Sequence, residues 1–255
     1  MAPGANDARP RVLDSAGARY FRARVWAWPD GALWRATMPL VAHTRDQRHR
    51  LFLDLVAPRP AETILDVGVT DSPERRANFL ECEYPQRENI TAVSVEPLQR
   101  FQLAFPEIEA VIADGRSLPF ADRSFDIVYS NAVLEHVGTR YDQLLFLREI
   151  CRVAGRAVFV ATPSRAFPVD SHTLIPFAHW GPPSVRAAVY GPLGRGSWAD
   201  IHKLNMLWAS ELEDLAGRAT RAPCEVRRQR VAGLTSNLVL VAHLASRRWP
   251  LPNPR

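Results

Sequence analysis

Residues 111–137 read VIADGRSLPFADRSFDIVYSNAVLEHV, and this stretch decides the fold prediction. An apolar run over residues 110–113 ends on Asp114–Gly115, and a second run over residues 125–129 ends on Ser130–Asn131. Short apolar runs bounded by turn residues are typical of buried strands. Because a parallel sheet places its ligand crevice at the carboxyl ends of its strands, the polar residues after both runs are candidate ligand contacts.

Four elements of this stretch resemble a known family, and they occur in the family's order. They are Asp114–Gly115, Leu118–Pro119–Phe120, Phe125–Asp126 and Leu134–Glu135–His136. In them the chain resembles the class I S-adenosylmethionine (SAM)-dependent methyltransferases of the type 11 branch. The resemblance implies an α/β fold: a three-layer, Rossmann-like, seven-stranded and mostly parallel sheet with an antiparallel last strand and helices on both faces. An N-terminal helical arm and a lid insertion are expected in addition.

The chain divides into tails, an arm, one large domain and an insertion in that domain. Loss of periodicity over a long stretch that is rich in proline marks the insertion, which we name the lid segment. The predicted parts are a disordered tail at 1–15, the arm at 16–43, the methyltransferase domain at 44–245 with the lid segment at 163–206, and a frayed tail at 246–255.

The loop after the predicted first strand departs from the family pattern. The family motif is D-x-G-x-G-x-G, and residues 66–72 read DVGVTDS, so Thr70 and Ser72 replace the second and third glycines. Because glycine permits close backbone approach, this loop must close in another way. The string over residues 78–81 resembles a bacterial subgroup with the same glycine-poor loop. Ser72–Pro73–Glu74 predicts a helix start whose amides face the crevice.

The resemblance implies SAM as the cofactor and gives roles to individual residues. Glu96 would accept hydrogen bonds from the ribose hydroxyls, Asp114 would accept from the adenine amino group, and Ser130 would lie beside the methionyl part. For each carboxylate, an ordinary strand-end or turn role stays open. The implied cofactor-binding residues are Asp66, Gly68, Val69, Thr70, Glu96, Pro97, Asp114, Gly115, Arg116, Ser130 and Asn131.

Three histidines and one tryptophan are the candidates for the acceptor side. His136 and His172 are the catalytic candidates, because a histidine pKa lies near working pH and suits a general base. His172, His179 and Trp180 are the expected substrate-binding residues of the lid segment. Packing roles remain open for His136 and for His179. No metal is expected, because no carboxylate cluster of ligand spacing occurs in the sequence.

An oxygen acceptor on a small molecule, a sugar or a lipid-linked glycan is the expected substrate. The chain has no Asn/Asp-Pro-Pro-Tyr motif, which argues against methylation of amide or base nitrogens. Rival functions are a NAD(P)-binding oxidoreductase, which would need the full glycine fingerprint, and a non-catalytic methyltransferase-fold scaffold subunit, which the altered loop favours. An RNA methyltransferase is a third rival, favoured by basic charge, although the chain shows no RNA-binding appendage.

Composition and charge bear on the possible partners of the chain and on its cellular location. The net charge is +5, but the arginines are spread along the chain, which argues against a nucleic-acid partner. There is no run of about 18 apolar residues and no signal-peptide pattern at the N-terminus, so a cytoplasmic location without a transmembrane segment is expected. The three cysteines are scattered and predict neither a disulfide framework nor a zinc site. A homodimer through the arm stays open.

Overall fold

The structure is a computed structural model that describes residues 32–244, with side chains from residue 44 onward. The strands are β1 Ile64–Val67, β2 Ile90–Ser94, β3 Glu109–Ile112, β4 Phe125–Asn131, β5 Ala154–Pro163, β6 Cys224–Val231 and β7 Leu234–His243. The helices are α1 Ala32–Val56, α2 Phe79–Glu83, α3 Gln99–Ala104, α4 Arg140–Val153, α5 Pro183–Tyr190 and α6 Ala209–Ala219. The predicted tails, residues 16–31 of the arm and any dimer contact made by them lie outside the described residues.

One seven-stranded sheet forms the middle layer, in the order β3-β2-β1-β4-β5-β7-β6. Strands β1 to β5 run parallel, whereas β7 is antiparallel to both β5 and β6. This arrangement confirms the predicted fold class. The chain reverses its direction of travel across the sheet between β1 and β4, and open α/β sheets place their ligand crevice at such a point.

Helices cover both faces of the sheet. Strand β1 has apolar side chains on each face, so both faces need to be buried. Leu65 and Val67 point to the face that packs against α4 and α6, whereas Ile64 points to the face that packs against α1 and α3. On the second face Phe52 of α1 is fully buried. Its ring lies edge-on to Tyr129 and Phe159, with centroid distances of 5.1 and 5.4 Å. These contacts fix α1 against the two central strands.

The apolar residues between Arg140 and Val153 recur at helical spacing and predict an amphipathic helix, and α4 has these bounds. Thr139 precedes it as the N-cap, and the Thr139 hydroxyl accepts a hydrogen bond from the backbone N–H of Asp142. The Asp142 carboxylate accepts from the Thr139 backbone N–H in return, at 2.9 Å. This reciprocal capping box explains why the helix begins where it does.

The sequence predicts helix starts at Thr44, from a capping pattern with Gln47, at Ser72–Pro73, and at Leu204, and all three are wrong. Helix α1 begins at Ala32 and not at Thr44. A capping pattern in the sequence can also occur inside a helix, and here the residues before Thr44 are helical as well. Residues 72–78 are not helical and contain a turn at 75–77, so the helix expected from Pro73 is limited to α2. Helix α6 begins at Ala209 rather than Leu204, because the Asn205 backbone N–H is instead donated to the Glu135 carbonyl oxygen.

The lid segment is ordered by short elements, although its sequence lacks periodicity. It contains the 3₁₀ helices Ala178–Trp180 and Gly196–Ala199 with α5 between them. Asp170 and Tyr190 are fully buried in it. Among residues 32–244, no helix is both long enough and apolar enough to cross a bilayer.

Removal of the Phe52 ring tests the packing of α1. We expect Phe52→Ala to lower the free energy of unfolding by about 3–5 kcal/mol, because it leaves a cavity between the helix and the sheet. The neighbouring Leu53 is 39% exposed, so Leu53→Ala should cost less than about 1 kcal/mol. Urea denaturation of the three proteins measures both values. Equal losses in the two variants would show that α1 does not pack as described.

Candidate functional site

An asparagine holds the glycine-poor loop after β1 in place. The Asn78 side-chain amide donates to the carbonyl oxygens of Thr70 and Ser72, at 2.8 and 2.6 Å. Its Oδ1 accepts from the Thr70 backbone N–H at 3.2 Å. Asn78 is 4% exposed. The side chain therefore supplies the closure that the two missing glycines do not provide.

The retained glycine, Gly68, is required by close packing as well as by its backbone conformation. Its φ is +109°, in the region that favours glycine. A Cβ atom at this position would collide with Cγ2 of Val133, which follows β4. The backbone N–H groups of Gly68 and Val69 both donate to the Val93 carbonyl oxygen, at 2.9 and 3.0 Å. The loop thus lies tightly between β2 and the turn that leaves β4.

Two carboxyl groups are buried together beneath this loop. Asp66 is 7% exposed, and Glu81 of α2 is fully buried beside it. Burial, followed by the negative charge of Glu81, raises the pKa of Asp66 well above its usual value. Burial also raises the pKa of Glu81. Both acids are therefore biased towards the neutral, protonated form.

A small cavity opens at the carboxyl ends of β1 and β4. It has a volume of about 10 Å³ and is lined by Asp66, Gly68 and Asn131 together with residues of α2. The Asn131 Oδ1 atom is buried and has no hydrogen-bond partner. Ser130, in contrast, is fully buried and donates its hydroxyl to the Val67 carbonyl oxygen at 2.8 Å. Asn131 therefore faces the cavity, whereas Ser130 connects β4 to β1 and is not available to a ligand.

The predicted ribose and adenine contacts lie after β2 and β3. Glu96 and Pro97 are exposed just beyond the end of β2. Asp114 is half-buried, and Arg116 forms a bidentate ion pair with it, at 2.6–3.1 Å. Burial alone would raise the pKa of Asp114, but the hydrogen bonds and charge of Arg116 lower it. Asp114 is thus an ionised carboxylate that is already partly engaged.

Gly115 has a packing role in the structure. A Cβ atom there would overlap the ring of Phe146 in α4 and approach Cγ1 of Val67 at 3.0 Å. The residue is buried. The requirement for glycine at this position thus comes from the contact between the β3 exit and α4.

The two catalytic candidates, His136 and His172, are in contact. Their Nε2 atoms are 3.1 Å apart, and the rings are perpendicular, with an interplanar angle of 84°. His136 Nδ1 is 2.6 Å from the Lys203 carbonyl oxygen, and His172 Nδ1 is 2.8 Å from Oδ1 of Asp170. The structure therefore brings together two residues that are 36 positions apart in the sequence.

The pKa values of the two histidines are shifted in opposite directions. Burial and then the charge of His172 lower the pKa of His136 to about 3. Burial opposes protonation of His172, but the hydrogen bond and charge of Asp170 outweigh it and raise the pKa of His172. Burial would also raise the pKa of Asp170, yet its hydrogen bonds and His172 hold that pKa far below the usual range. A proton between the two imidazoles therefore belongs to His172.

Glu135 completes a cluster that the sequence analysis did not predict. It is fully buried, with Oε2 accepting from the Thr162 hydroxyl at 2.9 Å. Its Oε1 has no hydrogen-bond partner and lies 3.8 Å from Nε2 of His136. Burial raises the pKa of Glu135, although the positive charge of His172 opposes the rise.

The other two predicted residues of the lid segment, His179 and Trp180, both contact the carbonyl oxygen of Arg165. The Trp180 indole N–H donates to the Arg165 carbonyl oxygen at 2.6 Å, and Nε2 of His179 lies 3.2 Å from the same oxygen. A cavity of about 20 Å³ is lined by His179, Arg165 and Arg186. The predicted substrate contacts thus divide into His172 beside His136, and His179 with Trp180 beside Arg165.

Several site residues were missed in the sequence, for different reasons. Glu135 and Asp170 lie one and two residues before a predicted histidine, so that proximity was a usable signal. Asn78 belonged to the string that marks the subgroup, without an assigned role. Arg48 of α1 gave no signal: it is buried and donates to Oδ1 of Asn237, 189 residues away.

Part of the chain matches known methyltransferases in sequence. Residues 65–159 match a family model of the type 11 group described as "Methyltransferase domain". A "probable S-adenosylmethionine-dependent methyltransferase" of Mycobacterium tuberculosis strain H37Rv is 29% identical over 124 residues, which is 47% of this chain and 42% of that protein. The chain therefore matches less than half the length of this curated relative.

Solved structures share the fold at low sequence identity. A Burkholderia thailandensis 1,6-didemethyltoxoflavin-N1-methyltransferase, with its acceptor and S-adenosylhomocysteine bound, has a TM-score of 0.52 at 17% identity, over 82% of this chain and 81% of that chain. A Haemonchus contortus phosphoethanolamine N-methyltransferase 2 in complex with SAM has a TM-score of 0.53 at 12% identity, over 78% and 52%. At these identities the likeness concerns the fold alone.

Substitution of Gly68 tests the close approach of the two loops. We expect Gly68→Ala to lose about 1–3 kcal/mol of stability from backbone strain, and a further loss of about 1–3 kcal/mol from the collision with Val133. Gly194 has a φ of +68° but open space around it, so Gly194→Ala reports the strain alone. In a double-mutant cycle followed by thermal unfolding, Val133→Ala should cost less in the Gly68→Ala background than in the wild type. Equal losses at both glycines would contradict the described contact.

The pH dependence of stability tests the buried acid pair. Because folding raises the pKa values of Asp66 and Glu81, their neutral forms stabilise the fold fully below the unfolded pKa of about 4, and this stability is lost as pH rises through the folded pKa values. Each proton contributes a slope of up to about 1.4 kcal/mol per pH unit. We expect Glu81→Gln to reduce the loss between pH 5 and 8, with the exposed Glu83→Gln as control. Identical pH profiles for wild type and Glu81→Gln would contradict the pairing.

Proposed function

We propose that this chain, in which residues 65–159 form a methyltransferase domain of the type 11 branch of the class I family, transfers a methyl group from SAM to an oxygen atom of an acceptor. The observation that carries the proposal is the convergence of polar residues at the carboxyl ends of β1 to β4, where the strand order reverses. Asn131 and the loop at Gly68 line this point, and Glu96 and Asp114 follow the next two strands. A nucleoside cofactor binds across such an edge in open α/β folds.

Fewer residues are proposed to contact the cofactor than the sequence suggests. Asn131 offers an unpartnered oxygen, Glu96 is exposed for ribose, and Asp114 keeps free lone pairs beside its pair with Arg116. Ser130 and Gly115 are retained for packing. Since the cavity beside Gly68 holds about one water molecule, SAM would lie along the open edge of the sheet or displace the loop that Asn78 holds.

The acceptor side is proposed to lie at the histidine pair, under the lid segment. The SAM sulfonium already activates the methyl group, so the protein needs to align the acceptor oxygen with the methyl carbon and to remove its proton. Alignment of bound reactants can lower a barrier by about 7–11 kcal/mol. His136 and His172 are the residues proposed to act on that proton, with Asp170 positioning His172.

The acceptor is proposed to be a small molecule, a sugar or a lipid-linked glycan. An acceptor that packs beside Trp180 and the lid segment would meet aromatic and polar groups together, which suits a glycan or a partly apolar alcohol. A cytoplasmic location stays a prediction of the sequence.

A non-catalytic binding subunit with the same fold is the second candidate. The tight loop after β1 and the engagement of Asp114 by Arg116 favour it, because both limit room for a cofactor. Binding of SAM without methyl transfer to any of a panel of hydroxylated acceptors would support this alternative.

The cofactor site is tested by calorimetric titration of SAM and S-adenosylhomocysteine. We expect the wild type to bind both, and Asp114→Asn to weaken binding by about 10- to 100-fold, since a hydrogen bond to a charged group contributes about 1.5–3 kcal/mol. Asp122→Asn is the matched control, because Asp122 also pairs with an arginine but its side chain is 77% exposed. Folded wild-type protein that binds neither ligand would contradict the proposal.

A further inference from the structure

We propose that Glu135, His136 and His172 form a site for a divalent transition-metal ion of the zinc type. One carboxylate oxygen and two imidazole nitrogens lie within 4.8 Å of one another. Two histidines and one glutamate make up the protein ligands of known catalytic zinc sites, which keep a fourth position open. The sequence did not reveal this set, because His172 belongs to the lid segment and the other two follow β4.

The separations are close to those that a tetrahedral ion requires. Zinc bonds of about 2.0–2.1 Å place two ligand atoms about 3.4 Å apart. The two Nε2 atoms of the histidine pair are 3.1 Å apart, and Oε1 of Glu135 is 3.8 Å from Nε2 of His136. The widest separation of the three, at most 4.8 Å, must shorten by no more than about 1.4 Å, which a rotation of the glutamate side chain can supply.

The outer hydrogen bonds of both histidines are those of metal ligands. A carbonyl oxygen can only accept, so the Lys203 oxygen at 2.6 Å fixes the hydrogen of His136 on Nδ1 and leaves the Nε2 lone pair directed inward. Asp170 orients His172 in the same way, through Nδ1 at 2.8 Å. Histidines that bind metals almost always donate their second N–H to a carbonyl or carboxylate.

An independent observation comes from Glu135. The residue is fully buried, Thr162 satisfies Oε2, and Oε1 has no partner although it is directed to the histidine pair. A buried polar atom without a partner is costly, so it indicates a missing contact. A cation between the three side chains would provide that contact.

The inference rests on the proposed methyl transfer and changes the role of the histidine pair: with the ion bound, His136 and His172 hold the metal and do not take up the acceptor proton themselves. An ion with an open position would bind the acceptor hydroxyl oxygen and lower its pKa. The O–H bond then breaks with release of the proton to solvent, an oxygen lone pair forms the bond to the methyl carbon, and the C–S electrons remain on sulfur as S-adenosylhomocysteine. Trp198 packs against both imidazoles, with ring centroids 5.1 Å from His172 and 6.3 Å from His136, and would limit the access of water.

The test uses the full chain after removal of metals with a chelator. Titration with Co²⁺ should give the visible absorption of a four-coordinate ion at one equivalent, and Zn²⁺ should displace it. Zinc affinity is then measured by competition with a chromogenic chelator. We expect Asp170→Asn to weaken zinc binding by about 10- to 100-fold, and loss of a direct ligand in His172→Gln or Glu135→Gln to weaken it more.

His243→Gln is the control variant, because His243 is an exposed histidine at the end of β7. Its zinc affinity should equal that of the wild type. Absence of the cobalt absorption in folded wild-type protein, or equal zinc affinities of wild type and His172→Gln, would overturn the metal site and leave a metal-free histidine pair. SAM calorimetry on the same preparations separates the two proposals: SAM binding without zinc binding overturns only the metal site, whereas loss of SAM binding alone counts against the methyltransferase.

Discussion

The turn after β4 and the segment that leaves the lid hold each other through hydrogen bonds. The Asn205 backbone N–H donates to the Glu135 carbonyl oxygen, and the Asn205 side chain donates to the Gly138 carbonyl oxygen, both at 2.7 Å. His136 meets the Lys203 carbonyl oxygen at 2.6 Å in the same place. The turn after β4 contains only the short 3₁₀ helix Leu134–His136, and residues 203–205 belong to no helix or strand. Each segment therefore provides hydrogen-bond partners for backbone groups of the other. The position of the histidine pair follows from this mutual support, and the two imidazoles meet only when the lid segment packs.

The buried carboxyl groups of the candidate site differ in their protonation state. Beneath the loop after β1, burial drives Asp66 and Glu81 towards the neutral form, and the negative charge of Glu81 adds to this effect at Asp66. At the histidine pair, Asp170 stays ionised beside His172. Burial lowers the pKa of Arg48 of α1, whereas its interactions with Tyr129 and Glu135 oppose that effect. Helix α1, which precedes the matched domain, therefore contributes to the electrostatics of the site.

The sequence predicts those parts of the molecule that depend on local pattern. The seven-stranded sheet is implied by the family resemblance, whereas the extent of α4 and the residues at the strand ends follow from apolar spacing and turn residues. The roles of Ser130 and Gly115 could not be predicted, because both depend on residues that are distant in the sequence. Ser130 donates its hydroxyl to a carbonyl oxygen of β1, and Gly115 packs against the ring of Phe146. The closure of the first loop by Asn78 was equally hidden. The pairing of His136 with His172 was suggested only as two separate candidates, since nothing local fixes the path of the lid segment.

Hydrogen–deuterium exchange with and without S-adenosylhomocysteine tests the central claim most directly, namely that the cofactor binds at the carboxyl ends of β1 to β4. We expect slower exchange in the backbone of residues 67–72, 94–97, 114–117 and 131–134, and little change in β6 and β7 at the far edge of the sheet. Protection confined to the lid segment or to the β6–β7 edge, with none in the loops after β1 and β4, would contradict the account.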